Sequence, residues 1–224
     1  MIALRRIAVY GGTFDPVHNG HLEVARRILK VFELDEVLFM PACVAPHKMK
    51  TRVTPAFHRY AMLALATQDD QDLRISLAEI EAPERPYTIE TIARVQAECG
   101  ASTRLFFVMG ADSWSEITTW RDWQQLLGLC DYIVITRPGY DLSAASVPIA
   151  AENFLDVRHL NHQQMAAVLS EDKTRRVFIS DAVMLDISAT EVRAVARTGD
   201  REKLRELVAP AVADYIEKYR LYEN

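Results

Sequence analysis

Two histidines, His18 and His21, close the run Gly11-Gly12-Thr13-Phe14-Asp15-Pro16-Val17-His18-Asn19-Gly20-His21. An imidazole donates hydrogen bonds to phosphoryl oxygens, more strongly when protonated. A glycine pair turns the backbone sharply and leaves no Cβ in the way of a ligand. Histidines at the mouth of such a turn suit phosphoryl or nucleotidyl transfer. Their spacing also suits zinc, with His47 as a third ligand, and the residues alone leave that open. Neither G-x-G-x-x-G nor the P-loop pattern is present.

Three later groups could serve the same ligand. Pro46-His47-Lys48 supplies a cation where phosphate would lie. Gly110-Ala111-Asp112-Ser113 supplies a carboxylate that can accept from ribose hydroxyls, orient a hydrated magnesium ion, or simply cap a helix. Ser188 and Glu191 form an S-x-x-E capping box, so a helix N-terminus with an arginine, Arg193, one turn in makes a second anion site. Trp120 offers an indole that can stack on an aromatic ring.

These groups need elements to hold them. Ile7 to Tyr10 reads as a buried strand, and Gly20 to Phe32, capped by Asn19, as an amphipathic helix. Glu36 to Met40, Leu73 to Leu77, Arg104 to Met109, Tyr132 to Thr136 and Arg176 to Ser180 read as further strands, mostly continuous and apolar as buried parallel strands are. Helices are expected to open at Thr54-Pro55, with Thr54 as cap and Arg59 near the start, and at Thr88 as cap, running to about Glu98. Residues 141–173 suggest short peripheral helices with His159 and His162 at the surface. Two more helices follow Asp200 and Pro210. The pattern predicts one α/β domain over 1–224, a mostly parallel sheet with helices on both faces, and a small C-terminal helical part from about 188. Every chemical group named above then falls at a strand end or a helix start, the edge where α/β sheets bind ligands.

The chain has 224 residues and a net charge of −5. It has no basic tract for nucleic acid and no apolar run of membrane-spanning length. Cys43, Cys99 and Cys130 are odd in number and lack C-x-x-C spacing, which predicts reduced thiols in a cytoplasmic protein. Homo-oligomerisation is left open.

Gly11 to His21 resembles the signature of the nucleotidyltransferase superfamily that includes nicotinate-nucleotide adenylyltransferases, with His18 and His21 matching its His-x-Gly-His core. Pro46-His47-Lys48, Tyr87-Thr88, Gly110 to Ser113, Thr119-Trp120 and Arg137-Pro138-Gly139 are similar to further motifs of the adenylyltransferases. Ile187 to Arg193 resembles Ile-Ser-Ser-Thr-x-Ile-Arg, with Ala189 for the second serine and Val192 for the isoleucine. The resemblance implies a Rossmann-like nucleotidyltransferase fold and adenylyl transfer from ATP, carrying Mg2+, to nicotinate mononucleotide, with nicotinamide mononucleotide, or both mononucleotides, as the alternative acceptor. It implies catalytic roles for His18, His21, Lys48 and Arg193. Gly11, Gly12, Thr13, Phe14, Asp112, Ile187, Ser188 and Thr190 would face ATP, and Thr88, Trp120 and Arg121 the pyridine nucleotide, with the indole on the nicotinate ring. No resident metal is implied.

Overall fold

The computed structural model describes residues 4–43, 53–82, 84, 86–136, 149–171, 176–182, 185 and 187–223. His47, Lys48 and Arg137 lie outside them. Seven strands run through β1 (Arg5–Gly12), β2 (Glu36–Pro41), β3 (Leu73–Ile75), β4 (Thr103–Gly110), β5 (Asp131–Ile135), β6 (Phe154–Asp156) and β7 (Val177–Ser180). Between and after them come α1 (Asn19–Val31), α2 (Ala56–Thr67), α3 (Thr88–Cys99), α4 (Ala111–Ser115), α5 (Trp123–Leu126), α6 (His162–Ser170), α7 (Ala189–Thr198), α8 (Arg201–Leu207) and α9 (Pro210–Lys218).

The strands are apolar on both faces because both faces are covered. Ala8, Phe106, Val108, Ile133 and Phe178 pack with α1, α2, α6 and the C-terminal helices. Their neighbours Ile7, Val9, Leu105, Phe107, Tyr132 and Val134 pack with α3, α4 and α5 on the other face. Each fully buried branched or aromatic side chain contributes about 1.5–3 kcal/mol.

Strand order is β3-β2-β1-β4-β5-β7-β6, and every pairing is parallel. The order reverses between β1 and β4. In open α/β sheets that switch point leaves a crevice beyond the carboxyl ends of the two strands. Here it falls beside Gly11-Gly12 and Gly110, the ends of β1 and β4. The opposite edge is closed by charge: Arg104 donates to Asp131 at 2.7 Å, and Asp131 also accepts the Arg176 amide at 2.7 Å.

Several expectations are corrected. Among the described residues every strand pairing is parallel, in keeping with the expected parallel sheet, and residues 154–156 add a strand where only helices were expected. The strand at Leu73 ends at Ile75, before Leu77. Helix α1 is capped by His18, because Asn19 instead donates to the Glu206 carbonyl at 2.9 Å. Helix α2 starts at Ala56, with Pro55 in the N-cap position and no side-chain cap, and the Thr54 amide outside it donates to Asp15 Oδ2 at 3.1 Å. Helix α3 is capped by Tyr87, whose amide donates to the Glu90 carboxylate at 2.9 Å, so Thr88 is the first helical residue. The C-terminal helices are built into the fold: His58 on α2 meets the Tyr215 hydroxyl on α9 at 2.9 Å.

Candidate active site

The glycine pair is required by two aromatic rings. A Cβ on Gly11 would lie 3.1 Å from the Phe107 ring, and one on Gly12 would lie 2.7 Å from the ring of Phe14. Phe14 folds back over Gly12 from a left-handed backbone, φ 48°, a conformation uncommon outside glycine. Its ring then packs against Tyr10, Phe39 and His21 at centroid separations of 5.5, 5.3 and 5.0 Å.

That aromatic packing sets the state of the histidines. The His21 ring sits between Tyr10, Phe14 and His18, stacked on His18 with centroids 3.7 Å apart. Burial lowers the His18 pKa from 6.5 to about 4. Burial, and then the charge that His18 would carry, hold His21 well below its ordinary value. Both rings are therefore neutral near pH 7 without ligand, so they meet an incoming phosphate as neutral donors. His21 Nδ1 accepts the His18 amide at 3.3 Å, so its proton sits on Nε2. His18 Nδ1 is buried with no hydrogen-bond partner among the described residues. It rests against Gly20, where a Cβ would come within 3.1 Å.

The loop between β1 and α1 is gripped from outside. Arg59, fully buried, donates to the carbonyls of Thr13, Ala42, Cys43 and Thr54 at 2.6, 2.7, 3.1 and 2.9 Å. It ties together the loops that follow β1 and β2 through their backbone carbonyls. Burial lowers its pKa, which the nearby Asp15 carboxylate opposes. Arg193 donates to the Asp15 carbonyl at 2.7 Å and to Thr190 Oγ1 at 3.1 Å. Ser188 caps α7 by accepting the Glu191 amide at 3.1 Å, and Ile187 just precedes it, half-buried. The start of α7 is thus joined directly to the motif loop.

The other predicted residues stand on the β4 side. Asp112 is exposed in the first turn of α4. Trp120, half-buried, meets the Phe107 ring edge-on at 6.4 Å, and Phe107 is the ring that covers Gly11. Arg121 lies over the Tyr87 ring at 4.5 Å, next to Thr88. Phe107 therefore links the two halves of the site. Among the described residues no three of His, Cys, Asp or Glu converge to hold a metal.

Arg59 was detectable on its helix: it shares the i, i+3, i+4, i+7 stripe with buried Met62, Leu63 and Ala66, so an arginine there had to be buried and paired. Tyr222, whose hydroxyl donates to Asp15 Oδ1 at 2.8 Å, carries no local signal.

Residues 9–195 match the cytidylyltransferase-like family. A protein of Geobacter sp. (strain M21) named "Probable nicotinate-nucleotide adenylyltransferase" is 35% identical, with 97% of this chain and 98% of that one covered. One of the same name from Symbiobacterium thermophilum is 36% identical, covering 98% of this chain and 96% of its own. The chain belongs to the nicotinate-nucleotide adenylyltransferase family. The family's fold is also found in a solved structure, Plasmodium falciparum nicotinic acid mononucleotide adenylyltransferase complexed with NaAD. That structure has a TM-score of 0.69 at 20% identity and covers 98% of both chains. For a chain of this family the His18-x-Gly-His21 pair lies where the fold predicts, at the switch-point edge. No helix among the described residues is long and apolar enough to cross a membrane.

Proposed function

We propose that this chain transfers the adenylyl group of ATP to nicotinate mononucleotide, giving deamido-NAD and pyrophosphate, in NAD biosynthesis. The observation that carries this reading is the near full-length identity to nicotinate-nucleotide adenylyltransferases, joined to a histidine pair at the sheet's switch point. An oxygen of the acceptor phosphate attacks the α-phosphorus of ATP. The new P–O bond forms as the bond to the β-phosphate bridging oxygen breaks, and pyrophosphate leaves with that electron pair. No protein nucleophile is needed, so catalysis is positioning and charge neutralisation.

His18 and His21 act on the triphosphate as neutral N–H donors that become stronger if the bound anion draws a proton onto them. Burial opposes that proton and the phosphate charge favours it. Lys48 and Arg193 neutralise phosphate charge. Gly11, Gly12, Thr13, Phe14, Ile187, Ser188 and Thr190 shape the ATP side, and Asp112 accepts from the adenosine side. Trp120 stacks on the nicotinate ring, with Thr88 near its carboxylate and Arg121 held beside them by Tyr87. Mg2+ enters with ATP. With its cysteines unpaired among the described residues, the protein is suited to the cytoplasm.

The test is pyrophosphate release from ATP and magnesium with nicotinate mononucleotide, run beside nicotinamide mononucleotide. Strong preference for the acid is expected. Equal use of both would extend the activity to the amide, and turnover of neither would overturn the acceptor.

A further inference from the structure

Asp15 sits at the centre of the loop that carries the histidines and is nearly buried, 7% exposed. Three separate parts of the chain hold it. Its carbonyl accepts from Arg193 at 2.7 Å, its Oδ2 from the Thr54 amide at 3.1 Å, and its Oδ1 from the Tyr222 hydroxyl at 2.8 Å. A hydroxyl donating to a carboxylate belongs to the stronger class of hydrogen bonds. The tail reaches this point at a conformational cost. Arg220 and Tyr222 both adopt left-handed backbone, φ 49° and 72°, and the Leu221 amide returns to the Ile216 carbonyl at 3.0 Å. Non-glycine residues stay in that region only where surrounding contacts hold them. The Tyr222 ring packs against the hydrophobic core, so the ring supplies burial while its hydroxyl donates to Asp15. Burial raises the pKa of that hydroxyl, keeping it a donor at any working pH.

We propose that Tyr222 is a positioning residue for the loop of His18 and His21, acting through Asp15. The inference rests on the reading of that loop as the nucleotide site. Tyr222 touches no reacting atom. It fixes one end of Asp15 while Thr54 and Arg193 fix the others, so the loop between a left-handed Phe14 and the capping residue His18 has one position.

The experiment compares Tyr222→Phe, which keeps the ring and removes the hydroxyl, with Tyr219→Phe on the half-exposed neighbouring ring as control. Three quantities are read: amide hydrogen exchange of residues 13–22 without ligand, affinity for α,β-methylene-ATP by calorimetry, and the melting temperature. For Tyr222→Phe, exchange in 13–22 should speed about fivefold and the dissociation constant should rise about fivefold, with the melting temperature falling by about 2–4 °C. The control should change none of them. Exchange and affinity within twofold of the wild type would overturn the proposal, and so would a lowered melting temperature with both unchanged, which would make Tyr222 packing alone. In an Asp15→Ala background, which leaves residue 15 no side-chain partner for the hydroxyl, Tyr222→Phe should add little, and a full additional effect would overturn the route through Asp15. A wild-type protein that binds no nucleotide analogue would sink the functional reading, while the exchange comparison would still decide the role of Tyr222.

Discussion

Gly20→Ala separates catalysis from stability at one methyl group. Gly20 is the second residue of α1 and its backbone is not left-handed, so alanine fits the helix. Helix propensity favours the alanine by about 0.5–1 kcal/mol, and the unfolded chain loses freedom as well. The new Cβ would stand 3.1 Å from His18 Nδ1 and 3.3 Å from its Cε1, against an ordinary contact of 3.4 Å or more. The ring must retreat by a few tenths of an ångström, and the His21 ring stacked at 3.7 Å limits where it can go. A 1 Å misplacement in an active site can cost about 100-fold in rate, so a shift of this size should cost about fivefold in kcat. The assay is pyrophosphate release at saturating ATP, magnesium and nicotinate mononucleotide, with thermal unfolding by circular dichroism in parallel. The expected result is a melting temperature equal to or above that of the wild type with the lowered kcat. A Gly20→Ala enzyme with kcat within twofold of the wild type would refute the reasoning that glycine is there to seat His18.

His18→Ala should lower turnover by about two to three orders of magnitude, as loss of one electrostatic donor does elsewhere, and unchanged turnover in the folded variant would remove His18 from the chemistry. Trp120→Ala should raise the KM for the mononucleotide about tenfold or more while leaving that for ATP nearly unchanged, and equal loss for both would move the acceptor elsewhere. Acid should weaken the fold through His18. Its pKa is lowered on folding from 6.5 to about 4, so between those values the unfolded chain binds more protons and stability falls as pH falls. The contribution is complete above about pH 6.5 and is lost as pH drops towards 4. It amounts to about 3 kcal/mol, to which His21 adds in the same direction. Urea unfolding at pH 7.5 and 5 should show a smaller acid loss in His18→Ala than in the wild type.

The order of strands and helices could be read in advance because both faces of the sheet are covered, which leaves strands such as Phe106 to Met109 as unbroken apolar runs. The glycine turn and the Ser188 cap were legible for the same local reason, since their partners lie within a few residues. Helix starts shifted by one residue from the expected caps: Asn19 donates to the distant Glu206 carbonyl, the Thr54 amide to the distant Asp15, and the Tyr87 amide to Glu90 three residues on. Phe154 to Asp156 was missed because three residues carry too little pattern to read, and pairing with β7 is what makes them a strand. The neutral state of the histidines also depends on tertiary packing, because it comes from Tyr10 and Phe14 closing over His21. Tyr222 had no signature at all, being defined by a partner 207 positions away.

That separation puts a clock on the protein's birth. At about 5–20 residues per second, a ribosome needs on the order of 10–40 s to travel the 207 positions from Asp15 to Tyr222. Through that interval the first β-α unit exists without the hydroxyl that secures its loop, so a half-made chain can carry the whole histidine motif and still lack its last anchor.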